Sequence, residues 1–270
     1  MRSEKIVHAK QVNRLKITAT IITFNEAKNI RTALESVAWA DETLVVDSQS
    51  TDETCEIARA CGARVISREW PGFSAQKQFA AEAATHDFIF SLDADERVSP
   101  ELLSSIHRIR AEESSSADGF RIARRTFYMN RWIRGGGWYP DFQLRLYDRR
   151  RGGWQGAHVH ESVRMETGAR VEKLQGDILH YSFADADEHA RMIAERYAPL
   201  GARQMYEKGC RTSKLEIAVA GTLAFTRSYF LKGGFRDGVA GFCIARFAAH
   251  HAFLKHLLLW EMQQREKVER

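Results

Sequence analysis

Asp93-Ala94-Asp95 sets two carboxylates at i and i+2, directly behind an apolar run that ends at Leu92. Carboxylate oxygens in that arrangement suit a hard cation, Mg2+ or Mn2+. Such an ion commonly takes one or two protein carboxylates and leaves its other positions to substrate phosphates. A cation there would neutralise a departing diphosphate. A D-x-D pattern also occurs in many ordinary surface loops, so its weight depends on what surrounds it. Two other polar turns follow apolar runs in the same way. Thr23-Phe24-Asn25-Glu26 comes after residues 17–22, and Asp47-Ser48-Gln49-Ser50 after residues 43–46.

The elements that must hold these turns can be read from periodicity. Residues 17–23, 43–47, 64–67 and 87–92 are short, apolar and β-branched or aromatic, the pattern of buried strands. Between them, Ile30, Ala33, Leu34 and Val37 keep helical spacing. Ser50-Thr51-Asp52-Glu53 has capping-box spacing and predicts a helix through Cys61, closed by Gly62. Residues 73–84 are rich in Ala, Gln and Lys, good helix formers. Strand and helix thus alternate over residues 17–96, which predicts a parallel sheet flanked by helices. Ligands bind outside the carboxyl ends of such strands, where the three polar turns would converge.

Farther on, residues 100–112 read as a helix, and 118–125 and 142–147 as strands. Arg134-Gly135-Gly136-Gly137-Trp138-Tyr139-Pro140-Asp141 between the two strands predicts a mobile loop. Beyond Ser182 the pattern becomes helical, with breaks expected at Gly201, Gly209 and Gly233-Gly234. A boundary near residue 183 would divide a sheet domain, 1–183, from a helical extension, 184–270.

Composition narrows the class. With 44% hydrophobic and 28% charged residues the chain is an ordinary globular protein. None of the four cysteines (55, 61, 210, 243) forms a C-x-x-C pair, so reduced thiols are expected. There is no apolar leader in residues 1–16 and no uninterrupted apolar run of about 18 residues, so neither a signal peptide nor a spanning helix is predicted. The net charge of +5 is uneven: residues 191–255 hold 11 Lys/Arg against 4 Asp/Glu, a surplus of +7. An anionic partner for that segment, or simply a solvated basic surface, would account for it. No nucleic-acid recognition motif accompanies it, so no nucleic-acid partner is expected. A nucleotidyltransferase would want a glycine-rich basic loop after the first strand, and Thr23-Phe24-Asn25-Glu26-Ala27 lacks one.

Three segments carry a family resemblance, in order along the chain. They are Thr20-Ile21-Ile22-Thr23-Phe24-Asn25-Glu26, Val45-Val46-Asp47-Ser48-Gln49-Ser50-Thr51-Asp52 and Phe90-Ser91-Leu92-Asp93-Ala94-Asp95-Glu96. They resemble the three successive signatures of the family 2 glycosyltransferases. The resemblance implies an α/β GT-A fold, a Rossmann-like and mostly parallel sheet flanked by helices, here with a helical C-terminal extension. It further implies an inverting mechanism and a nucleotide-sugar donor, usually a UDP-sugar. By the same resemblance Thr23, Asn25 and Glu26 would lie beside the nucleoside, Asp47 near the base, Asp93 near ribose and metal, and Asp95 on the metal. Ser48 stands where many members carry a second Asp, which leaves open which of Asp47 and Ser48 touches the base. Lys77 would approach the diphosphate, although a solvated helix lysine is the commoner outcome. His180 is a candidate to complete the metal shell, a core histidine being the other reading.

An inverting transfer needs a general base to take the acceptor hydroxyl's proton. Glu161, in Gly156-Ala157-His158-Val159-His160-Glu161, and Asp141 in the glycine-rich loop compete for that role. The His-Glu pair resembles the family's base region and favours Glu161. His158 and His160 could line the same cavity. Trp132, Trp138, Tyr139 and Trp154 could stack on sugars, and Arg131, Arg134 and Arg145 could meet acceptor phosphates.

The C-terminal segment Phe230-Leu231-Lys232-Gly233-Gly234-Phe235-Arg236-Asp237-Gly238 resembles the subgroup that includes the lipopolysaccharide inner-core glucosyltransferases. That implies a glucose donor, a lipopolysaccharide core acceptor and a cytoplasmic protein peripheral to the bacterial inner membrane. A polyprenyl phosphate or an exopolysaccharide or capsule chain is the alternative acceptor.

Overall fold

The computed structural model describes residues 14–111, 117–156, 161–182 and 185–269. Strands β1 (Ile17–Thr23), β2 (Glu42–Asp47), β3 (Arg64–Ser67) and β4 (Phe88–Asp93) form a parallel block in the order β3-β2-β1-β4. β1 is buried along its whole length, because both faces of the sheet are covered. Ile17, Ala19 and Ile21 enter one core with Ile30, Leu34, Val45 and Phe90. Ile22 points the other way, with Leu44, Val46 and Ala80. Helices α1 (Ile30–Ser36), α2 (Thr54–Ala60) and α3 (Phe73–Ala83) are the crossovers that supply those faces.

After β5 (Glu96–Val98) and α4 (Pro100–Ala111), the chain returns to the sheet. It adds β6 (Gly119–Tyr128), the short β7 (Arg131–Trp132) and β8 (Asp141–Asp148). β8 inserts antiparallel between β4 and β6. β9 (Gly152–Gln155) and β10 (Ser162–Met165) form a separate hairpin that packs Trp154 and Val163 beside Ala81 of α3. β11 (Val171–His180) lies parallel to β6 and ends antiparallel to β5, which sets His180 opposite Glu96. Gly176, at φ +95°, lets β11 pass α4, since a Cβ there would lie 2.1 Å from the backbone nitrogen of Leu102.

From Ala186 the structure is helical. α5 (Ala186–Met192) runs through a π-helical turn at Ile193–Tyr197 into α6 (Ala198–Glu207). α7 (Lys214–Thr226) leads through a second π-helical turn, Arg227–Leu231, and a 3-10 turn, Gly234–Asp237, to α8 (Gly238–Glu269). A Ser213/Glu216 capping box opens α7.

Three local expectations fail for identifiable reasons. The Ser50–Glu53 capping box does not form: α2 starts at Thr54, whose N–H bonds Asp52, while the Ser50 hydroxyl donates to Asp47. Gly201 does not break a helix but sits inside α6, where a Cβ would meet the Lys255 side chain at 3.0 Å. The glycine-rich loop is pinned rather than mobile. Asp237 accepts the N–H groups of Arg134 (3.0 Å) and Gly135 (2.8 Å), and the Ser228 hydroxyl donates to the Gly136 carbonyl.

Candidate active site

The carboxyl ends of β1, β2 and β4 open on one cavity of about 1140 Å3. Asn25, at φ +52°, ties the first two turns together. Its N–H donates to Ser50 Oγ at 2.8 Å, and its Oδ1 accepts the Thr51 N–H at 2.9 Å. Asp47 is buried and accepts the Ser50 N–H (2.9 Å) together with the hydroxyls of Ser50 and Ser67. Both residues therefore hold loops in this structure, and neither lines the cavity. Thr23, Glu26 and Ser48 do line it. The Thr23 hydroxyl oxygen is buried without a hydrogen-bond partner, a polar atom left for a ligand to satisfy.

Asp93 and Asp95 occupy the third turn, and their surroundings differ. Beneath Asp93 lies a layer of buried charge. Lys77 Nζ approaches Asp93 Oδ1 at 2.9 Å and is 3% exposed, because Trp154 covers it with its ring centroid 4.7 Å away. It is a buried cation of the site rather than a solvated helix lysine. Arg145, 1% exposed, reaches Asp93 Oδ2 at 3.3 Å and Glu96 Oε1 at 3.0 Å. Glu96 in turn accepts the backbone N–H of Asp93 at 2.9 Å, which fixes the turn. Burial alone would raise the Asp93 pKa, but Lys77 and Arg145 outweigh it and hold the carboxyl ionised, well below the usual range. The Arg145 pKa is pushed up by Glu96 and Asp93 against the effect of burial.

Asp95 faces a different partner. Its Oδ2 lies 3.2 Å from His180 Nε2, and both line the cavity. An oxygen and a nitrogen converging there fit a divalent cation. Among the described residues no group of three or more His, Cys, Asp or Glu side chains clusters for a metal. The rest of the coordination would have to come from ligand oxygens and water, which is the usual pattern for Mg2+ with a phosphate substrate. Glu26 is nearby: burial raises its carboxyl pKa, the Asn29 amide bonded at 2.7 Å opposes this, and Asp95 adds to the rise.

Residues 18–175, more than half of the chain, match the family described as Glycosyl transferase family 2. The protein is a family 2 glycosyltransferase. It is 31% identical over 254 residues to the lipopolysaccharide core biosynthesis glycosyltransferase LpsC of Rhizobium meliloti, covering 90% of this chain and 91% of the relative. It is also 31% identical to an uncharacterized glycosyltransferase of Rickettsia bellii, covering 92% and 87%. The mannosyltransferase PcManGT of Pyrobaculum calidifontis, solved with GDP-Man and Mn2+, shares the fold at a TM-score of 0.54 and 15% identity. The alignment covers 90% of this chain and 87% of that one. The architecture is the GT-A fold.

Within the glycosyltransferase cavity the two candidate bases stand in different company. Asp141, at the start of β8, is tied to Arg124 by contacts of 2.9 and 3.1 Å and accepts from Gln143 at 2.8 Å, all through Oδ2. Glu161 lines the cavity, and among the described residues its ion contact is Lys77 Nζ at 3.8 Å. His158 and His160 lie outside the described residues.

Of the predicted aromatics only Trp138 lines the cavity. Trp132 packs edge-on to Phe127 and Tyr181, Tyr139 donates to Asp177, and Trp154 is buried under Lys77. Arg145 does not line the cavity; it sits beneath the Asp93–Asp95 turn. Arg131 instead donates to the Asp237 carbonyl at 2.7 Å. Sequence reasoning missed Arg124, Glu188, Arg196 and Tyr197, which are among the residues that line the walls. The last three come from the α5 region, whose docking leaves no local signal. A charged residue between Leu144 and Leu146 of β8 was the available sign that Arg145 needs a buried partner.

Proposed function

We propose that this protein transfers a hexose, glucose, from a UDP-sugar to the inner core of a lipopolysaccharide, with inversion at the anomeric carbon. The observation that carries the reading is the cavity geometry. Asp95 and His180 converge on one side of the donor turn, while Lys77 and Arg145 hold Asp93 from below. Identity across nearly the whole length of a relative named for lipopolysaccharide core biosynthesis supports the acceptor class. A phosphorylated, carboxylated acceptor also suits the basic C-terminal segment.

Asp95 and His180 would hold Mg2+ or Mn2+, with Asp93 adjoining. When bound, the cation supplies positive charge to the leaving diphosphate. Thr23, Glu26 and Ser48 line the donor side, and Asn25 and Asp47 keep the loops that carry them in place. Lys77, held at Asp93, directs its charge towards the diphosphate side of the site. Glu161 takes the acceptor hydroxyl's proton as that oxygen attacks the anomeric carbon. The bond from that carbon to the diphosphate oxygen breaks, and the nucleoside diphosphate leaves. Asp141, neutralised by Arg124, orients the loop. The part before residue 183 binds the donor, and the helical part faces the acceptor at an anionic membrane surface, on the cytoplasmic side of the inner membrane.

The test is transfer from a panel of nucleotide-sugars to truncated lipopolysaccharide cores. Transfer from UDP-glucose should vanish with EDTA and in Asp95→Ala. Glu161→Gln should lower turnover by about 10²–10⁴ while donor binding persists. Full turnover in Glu161→Gln, with loss in Asp141→Asn, would move the base to Asp141.

A further inference from the structure

The helical part carries an apolar surface that the fold leaves uncovered. α7 reads Lys-Leu-Glu-Ile-Ala-Val-Ala-Gly-Thr-Leu-Ala-Phe-Thr, and none of its residues is buried. Leu215, Val219 and Leu223 recur at i, i+4 and i+8, so they form one stripe. Leu215 is 71% exposed and Leu223 64%. The stripe runs into an aromatic knob at the turn before α8. There the rings of Phe225, Tyr229, Phe230, Phe235 and Phe242 touch one another, with centroids 5.1–6.4 Å apart. Phe230, Phe235 and Phe242 are nonetheless exposed, and Leu231 beside them is 79% exposed. Nine of the thirteen large hydrophobic side chains exposed among the described residues lie between Leu215 and Phe253. A contiguous apolar surface of this kind marks an interaction site.

Charge says what covers it. Residues 217–260 contain a single acidic residue, Asp237, and that carboxylate is buried against the Arg134–Gly135 backbone. The outward charges of this stretch are therefore all positive: Arg227, Lys232, Arg236 and Arg246 are exposed. Aromatic and aliphatic side chains interleaved with basic ones, with Glu216 in the α7 capping box as the one exposed acid between Lys214 and Trp260, match the headgroup region of an anionic bilayer. No helix among the described residues is long and apolar enough to cross a membrane, so the contact would be interfacial. Between α7 and α8 a cleft of about 380 Å3, lined by Phe225, Phe253, Arg246 and His250, offers apolar walls beside cationic groups.

We propose that α7, the 227–237 turns and the start of α8 form the face that seats this enzyme on an anionic lipid bilayer. The face is joined to the active site. The Gly136 N–H donates to the Lys232 carbonyl at 3.0 Å, and a Cβ on Gly137 would touch the Lys232 side chain. Gly137 and Trp138 line the catalytic cavity. A lipid-anchored acceptor rising from the bilayer would thus meet the cavity beside its own membrane. This deepens the function proposed above, and it is tested without relying on that function.

The experiment is co-sedimentation of the full chain with vesicles of phosphatidylcholine, with and without phosphatidylglycerol. The expected result is binding to the anionic vesicles that weakens with salt. Phe230→Asp with Leu231→Asp should reduce it at least tenfold, and Arg227→Glu with Arg236→Glu should abolish the preference for phosphatidylglycerol. Hydrolysis of the nucleotide-sugar without acceptor should be unchanged in all four substitutions, which also shows that the variants fold. Absence of vesicle binding, or binding indifferent to both pairs of substitutions, overturns the proposal. So does a wild-type dimer in sedimentation that Phe230→Asp with Leu231→Asp converts to monomers, since a second copy would then own the face. Loss of all hydrolysis with vesicle binding intact would count against the catalytic reading instead.

Discussion

Arg145 donates to Glu96 at 3.0 Å inside the sheet, with neither side chain open to solvent, and the same guanidinium nitrogen reaches Asp93 at 3.3 Å. One strand of the second half of the chain thereby fixes the acidic turn of the first. Because β8 lies directly beside β4, the arginine arrives under the turn with no loop in between.

Removing Arg145 leaves the buried Glu96 carboxylate with only a longer contact to Arg124 at 3.7 Å among the described residues, and removing the Glu96 charge leaves Arg145 with Asp93 as its counter-charge. Arg145→Met should cost about 3–5 kcal/mol of stability, read by urea denaturation. Glu96→Gln should cost less, since its amide keeps an acceptor for Arg145 but can no longer match the charge. Both should weaken donor binding, because Asp93 loses its anchor. An Arg145→Met protein of native stability would show that the pair contributes little beyond its own desolvation.

The Asp93–Asp95 turn was legible in the sequence because strand, turn and motif are all local. Asp93 and Asp95 follow β4 without a break, and the two earlier turns sit at the ends of β1 and β2 as periodicity predicts. Arg145 was not legible as its support. It reaches Asp93 only because β8 inserts between β4 and β6, a pairing over about fifty residues that no local pattern encodes. Asp237 is a similar case. Its rarity in a basic segment was visible, but its inward direction depends on the turn at Gly233, where φ is +68°. Asn25 and Asp47 are the opposite case: the motif was legible, but the contacts of those side chains with the backbone and hydroxyls of the neighbouring loop were not.

Asp237→Ala should leave the donor half intact and loosen the acceptor side. It strips two backbone N–H groups of their acceptor in a buried position, at a cost of about 2–4 kcal/mol. The expected kinetic effect is a higher KM for the acceptor with donor binding unchanged, measured by equilibrium titration of the nucleotide-sugar. Equal losses on both sides would mean that the loop from Arg134 to Trp138 is not specific to the acceptor.

Asp95 and His180 make a prediction about metal. His180→Ala removes the proposed nitrogen ligand but leaves the carboxylate, so activity should survive at a raised Mn2+ requirement. Asp95→Ala should not be rescued by added metal. The check is Mn2+ and Mg2+ titration of transfer in each variant. A His180→Ala enzyme with an unshifted metal dependence would return His180 to a packing role against the turn.

His189 gives the protein an acid limit. It sits on α5 with Nδ1 3.1 Å from the Tyr128 hydroxyl, and its ring packs on Phe247 and beside Trp138, a wall of the active site. Burial lowers its pKa from 6.5 to about 4. Below pH 6.5 the unfolded chain takes up this proton and the folded chain does not, so the stability contribution is whole above that pH and is lost as the pH falls towards 4. A shift of this size implies a loss of about 2 kcal/mol between about pH 7 and pH 5 from this one group. His189→Gln keeps a polar partner for Tyr128 and removes the titration. Its urea midpoint should therefore fall less than the wild type's over the same pH interval. An identical acid slope in the two proteins would place the sensitivity elsewhere, in His251 and His256, whose pKa values burial also lowers.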